Sequence, residues 1–156
     1  MEWIAQVRGK LVGLDTAPII YYIERHPLYI ETLRSFFQAV NKGECALVTS
    51  VMSLLEVLVI PIRLGNTDLA RQYRDILFKT KGLTTMSISP NIAEEAAKLR
   101  ASYNIRTPDA IQMAIATFAR AEFFLTNDKR LPSLPGLQTL VLDELIKDSD
   151  DLKEDS

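Results

Sequence analysis

Five short runs of β-forming residues, Lys10 to Leu14, Ala46 to Thr49, Leu83 to Ser87, Phe123 to Thr126 and Leu137 to Leu142, are separated by stretches with helical spacing. Strands of this length alternating with helices predict an α/β class. The expected architecture is a three-layer α/β/α sandwich around a mainly parallel central sheet of about five strands. Leu33, Phe36, Phe37 and Val40 recur at helical intervals in a helix over about 30–42 that stops at Gly43. Pro18, Pro90 and Pro108 lie at helix starts, where a missing N–H does little harm. Ser50 or Ser53 caps a helix running toward Leu64, and further helices cover about 68–79, 91–103 and 107–119.

At 156 residues with 47% hydrophobic and 24% charged side chains, the chain fits one domain with one core. The longest apolar run, Val51 to Ile62, contains Glu56 and Pro61 and is too short for a membrane span. A lone Cys45 allows no internal disulfide, and the N-terminus lacks the marks of a secretory signal, so a cytoplasmic location with no membrane contact is expected. The last 14 residues hold seven acids and two bases, a net of −5, so residues 1–142 carry +3. We therefore expect a single domain over 1–142 and a partly disordered acidic tail over 143–156.

In a parallel sheet, residues that follow the strands share one edge, and ligands bind there. Asp15 and Asp128 occupy such positions, Asp109 lies in the first turn of its helix, and Glu56 lies one to two turns into the helix after the second strand. Each aspartate has an ordinary alternative as a cap or a complement to the helix dipole. Glu56 interrupts the apolar stretch VMSLLEVLVI, where an unpaired buried charge is costly, and this predicts a partner for it. If all four converge at roughly 5 to 6 Å, each like-charge pair costs on the order of 3 kcal/mol at an effective dielectric near 20. A hard divalent ion resolves that repulsion, and zinc is disfavoured because only His26 and Cys45 offer nitrogen or sulfur. Such an ion activates water for in-line attack on a phosphodiester, which needs no nucleophilic side chain.

Four blocks, LDTAPIIYYIE, VTSVMSLLEV, TPDAIQMAIA and FFLTNDKRL, carry Asp15, Glu56, Asp109 and Asp128 at intervals of 41, 53 and 19 residues. In this ordered set the chain resembles the PIN domains, and more narrowly the VapC-like toxins of bacterial toxin–antitoxin pairs. The resemblance spans about residues 10–142. It implies an endoribonuclease dependent on one or two Mg2+ or Mn2+ ions, in which the four acids bind metal and activate water. It further implies that Thr16, Thr126 and Asn127 orient the site, that the protein is a homodimer, and that a small antitoxin is its partner. Ala17 and Pro18 depart from the small polar residue many members carry two places after the first aspartate.

Arg106, Lys129 and Arg130 flank two of the acids and are candidate contacts to RNA phosphates, with solvated or ion-paired roles as the alternative. Tyr21 and Tyr22 are expected in the core rather than stacked on bases, and His26 on the surface. Burial in the core is the simplest reading of Val57 to Leu64, with a dimer or antitoxin groove as the other. The rival function is a non-catalytic PIN-like module that binds RNA or protein. Aspartyl-phosphatase and receiver patterns are demoted because position 17, where the former normally carries a second aspartate, is Ala17, and no acidic pair with a matching lysine is visible.

Overall fold

Strand β1 (Leu11–Leu14) forms the middle of a five-stranded sheet with order β3-β2-β1-β4-β5. The others are β2 (Ala46–Ser50), β3 (Leu83–Met86), β4 (Phe123–Thr126) and β5 (Gln138–Val141), and every pairing is parallel. The computed structural model describes residues 2–154. Because β2 and β3 build outward from one side of β1 and β4 and β5 from the other, the winding reverses between β1 and β4. A crevice opens at such a reversal, beyond the carboxyl ends of the strands. Asp15 follows β1 at that point, and its backbone N–H donates to Leu125 O of β4 at 3.0 Å.

Both faces of the sheet are covered, as an all-parallel sheet requires. Neighbouring residues on one strand point to opposite cores: Leu47, Phe123 and Leu125 to one, Val48 and Phe124 to the other. The first core receives α1 (Glu2–Gln6), α2 (Thr16–Ile23), α3 (Ile30–Asn41) and the buried side of α5 (Thr67–Lys79). The second receives α6 (Pro90–Ser102) and α7 (Thr107–Phe118). The three layers and the parallel sheet agree with the sequence expectation. Helix α1 has no counterpart in it; Trp3, Ile4 and Val7 are buried, and Trp3 Nε1–H donates to Thr32 Oγ1 at 3.0 Å.

The acidic stretch from 143 onward begins as helix α8 (Leu142–Glu154), because Leu142, Leu145 and Ile146 recur at helical spacing and pack on the first core. Asp143 and Glu144 suit the positive end of that helix dipole, and residues 155–156 lie outside the described residues. One expectation is corrected, the burial of Val57 to Leu64: α4 (Val51–Arg63) is not an interior helix, since Val57 and Pro61 are buried but Leu55, Ile62 and Leu64 are 61%, 64% and 73% exposed. Val59 and Ile60 are exposed beside them, as is Phe78 of α5. Among the described residues no helix is long and apolar enough to cross a membrane.

Helix α7 crosses β1 at a glycine. A Cβ on Gly13 would lie 2.6 Å from Ala116 Cβ and 3.0 Å from Phe124 Cδ2, so the close approach depends on its absence. Gly13→Ala is expected to destabilise the fold by about 1 to 3 kcal/mol through overpacking, read from urea unfolding midpoints. An unchanged midpoint would show that α7 can draw back from the sheet at no cost.

Candidate active site

The chain leaves β1 at Asp15, which turns it into α2 and caps that helix. Its Oδ1 accepts the Thr16 backbone N–H at 2.8 Å, and its Oδ2 accepts the Thr126 hydroxyl at 2.7 Å. Asp15 therefore fills the capping role expected of it. Burial pushes the Asp15 carboxyl up to about 6; the Thr126 and Thr16 hydrogen bonds oppose this, while the charges of Asp109 and Glu56 add to it. Thr126 is fully buried, and its oxygen also accepts the Asp128 backbone N–H at 3.0 Å. One hydroxyl thus ties the first acid to the backbone of the last.

Glu56 overturns the reasoning that singled it out. It is exposed, on the side of α4 that also leaves Leu55, Val59 and Ile60 exposed, so it needs no cation to offset burial. It still faces the site, where its Oε1 accepts the Thr16 hydroxyl at 2.9 Å. By exposure Asp109 is the buried acid and Asp15 is half-buried, but it is the Asp15 carboxyl that its surroundings shift upward. Ser50, not Ser53, caps α4, accepting Met52 N–H at 3.1 Å.

Ser53 instead turns inward to a polar cluster that sequence reasoning missed. Gln112 on α7 donates through Nε2 to Ser53 Oγ at 2.6 Å and Thr16 Oγ1 at 3.2 Å, and its Oε1 accepts the Ser50 hydroxyl at 2.9 Å. Thr49 donates to Leu14 O at 2.8 Å. With the Thr16 and Thr49 protons committed to Glu56 and Leu14, the single Ser53 proton serves either Thr16 at 2.9 Å or Thr49 at 3.0 Å. No buried side-chain polar atom among the described residues lacks a partner. The available signal was spacing: Gln112 stands one turn after Asp109 and Ser53 one turn after Thr49.

Asp109 is buried in the first turn of α7, and its Oδ2 accepts Arg106 Nε–H at 3.2 Å. Asp128 is gripped by the Arg130 fork, with Nε and a terminal nitrogen each 2.9 Å from a carboxylate oxygen, and Arg130 N–H closes a turn onto Oδ1 at 3.0 Å. These bonds hold its carboxyl below the usual range. Asp109 and Asp128 line one groove with Arg106 and Arg130, while Asp109 also acts on Asp15. All four acids thus occupy one edge with Asp109 as the common member, yet among the described residues no three acidic, His or Cys side chains stand close enough to hold a metal ion as placed.

Asn127 points elsewhere. Its Nδ2 donates to Tyr29 OH at 3.1 Å and Tyr21 OH at 3.3 Å, and its Oδ1 accepts Asp143 N–H at 3.0 Å, so it fastens the end of β4 to α2 and α8. Lys129 is exposed. Tyr21 stacks on Tyr29 with ring centroids 4.4 Å apart and Tyr22 on Phe37 at 4.2 Å, which agrees with packing roles. His26, expected at the surface, is half-buried against Tyr21 and Tyr29.

The folded protein holds the Asp15 proton up to about pH 6, whereas an ordinary aspartate releases it near 3.8, so Asp15 makes stability fall as pH rises between these values. Asp15→Asn should flatten that slope and, in EDTA above pH 6, stabilise the fold by about 1 to 3 kcal/mol, measured by urea unfolding across pH. Equal stability of the two proteins at pH 7 would contradict the burial assigned to this carboxyl.

A family model for the PIN domain matches residues 12–137. A search of curated proteins gave no match. Among solved structures, VapBC2 from Rickettsia felis, bound to a DNA fragment from its promoter, superposes with a TM-score of 0.67 over 84% of this chain and 98% of that one, at 18% identity. A toxin–antitoxin complex from Klebsiella pneumoniae gives 0.59 over 83% and 95% at 24% identity. DNA-bound VapBC from Salmonella typhimurium gives 0.59 over 85% and 98% at 16% identity. At these identities the structural likeness is one of fold. The family match runs from within β1 to the edge of β5 and takes in all four acids; the chain belongs to the PIN domain family.

Proposed function

We propose that the protein is a metal-dependent endoribonuclease, a VapC-like toxin whose activity a small antitoxin holds in check. The observation that carries this reading is the Asp15 carboxyl, desolvated at the sheet's winding reversal and facing the charges of Asp109 and Glu56. A buried acid among like charges favours a cation. The donors on this edge are carboxylate and hydroxyl oxygens, which suit Mg2+ or Mn2+. Asp15, Glu56, Asp109 and Asp128 would hold one or two ions once Arg106 and Arg130 release their carboxylates. When bound, the metal supplies a Lewis acid that lowers the pKa of water and offsets charge on the phosphodiester.

The chain's own residues prepare that chemistry. Thr126 and Thr16 hold both oxygens of Asp15, and Thr16 holds Glu56, so the orientation of two acids is set before substrate arrives. Arg106 and Arg130 neutralise Asp109 and Asp128 in the resting protein and are within side-chain reach of a phosphate in the same groove. The uncovered apolar side of α4 supports a protein partner, the antitoxin or a second copy of the chain.

The two arginine-held acids favour one other reading, a PIN-like module that binds RNA or protein without cutting. Incubation with single-stranded RNA separates the two. Cleavage should require Mg2+ or Mn2+, stop in EDTA, and fall by at least about a hundredfold in Asp15→Asn and Glu56→Gln while both variants retain the native circular dichroism. Undiminished cleavage by both would overturn the assignment of the site, and binding without cleavage by the wild type would favour the module.

A further inference from the structure

The groove beside Asp109 and Asp128 is lined by cationic and apolar side chains together. Its volume is about 630 Å3, in the range of a small-ligand pocket. Arg106 and Arg130 pair with the two acids, Tyr103, Ile105, Leu131 and Pro132 supply the apolar lining, and Arg100 and Asn104 complete it. Ile105 and Leu131 are buried in the second core, so they form a fixed floor. Tyr103 is partly buried against the same core, and among the described residues it stacks on no other ring and is the only aromatic side chain in the groove.

The segment that carries Tyr103 is held in place. Arg100 on α6 donates through Nε to Ile105 O at 3.2 Å and through a terminal nitrogen to Thr107 Oγ1 at 2.8 Å, bracing the link between α6 and α7. The Tyr103 backbone N–H donates to Leu99 O at 2.8 Å. A braced aromatic ring loses little freedom when something stacks on it. Arginines and an aromatic ring lining one groove match the two halves of a nucleotide, an anionic phosphate and a planar base.

We infer that this groove holds one nucleotide of a single-stranded RNA next to the acids, with its base against Tyr103 and its phosphate taken by Arg106 and Arg130. The inference rests on the ribonuclease reading and adds to it the place where a base is gripped. Stacking tolerates every base, so Tyr103 strengthens binding at one position, and the shape of Ile105, Leu131 and Pro132 sets which base fits best. Both arginines then exchange a carboxylate for a phosphate, one charged partner for another.

The test is fluorescence anisotropy of a labelled pool of short random single-stranded RNA in Mg2+, with the full chain carrying Asp15→Asn so that the RNA stays intact. Adding Tyr103→Ala should weaken binding by at least about fivefold, and Tyr103→Phe should restore most of it. The dependence of affinity on salt should keep its slope in Tyr103→Ala, since no charge is lost, and become shallower in Arg106→Gln. Thermal melts matching the Asp15→Asn parent exclude unfolding as the cause. If the parent binds RNA and Tyr103→Ala binds equally well, the inference falls alone, as it would if the groove received a protein segment. If the parent binds no RNA and the wild type cleaves none, the ribonuclease reading falls and the inference with it; if the parent binds none while the wild type cleaves, the inference falls alone.

Discussion

The Thr126 hydroxyl is the contact on which the active edge depends. It is fully buried at the end of β4, donates to Asp15 and accepts from the Asp128 backbone, so it links the strand ends on the two sides of the winding reversal. Asp15 in turn caps α2 and places Thr16, whose hydroxyl reaches Glu56. A desolvated carboxylate with one partner removed is costly, which makes this short chain of bonds a strong constraint on where the edge can sit.

Behind it, Thr49, Ser50, Ser53 and Gln112 form a second, fully buried layer. Polar groups so deep are tolerated only when each finds a partner, and here each does. The layer joins β2, α4, α7 and Thr16, so the elements that carry Glu56 and Asp109 share one set of hydrogen bonds with the element that carries Asp15. The approach of α7 that allows this depends on Gly13, where β1 has no side chain on that face. Fold and site are thus coupled through a glycine and a glutamine, neither of them ionisable.

The strand and helix pattern was legible because hydrophobic period and proline position act locally. Phe123–Thr126 and the helices over α3 and α5 appear close to where the pattern put them. Glu56 was judged from its neighbours Val51 to Ile62, but a run of apolar residues does not reveal whether the body of the protein covers it. The structure leaves much of that helix face uncovered, so the effect of burial expected at Glu56 is found at Asp15 instead. Asn127 was misjudged differently: its place between Thr126 and Asp128 says nothing of the side to which its amide turns.

Sequence alone determined the parallel α/β class, the four acids and their order, since these follow from residue type and spacing along the chain. Tertiary structure alone decided which acid is desolvated, which two are held by arginines, and how α8 and Asn127 close the end of β4. Burial and charge pairing depend on groups brought together from distant positions, such as Asp15 and Thr126, which are 111 residues apart. Such pairings arise from the winding of the sheet, and no local pattern encodes them.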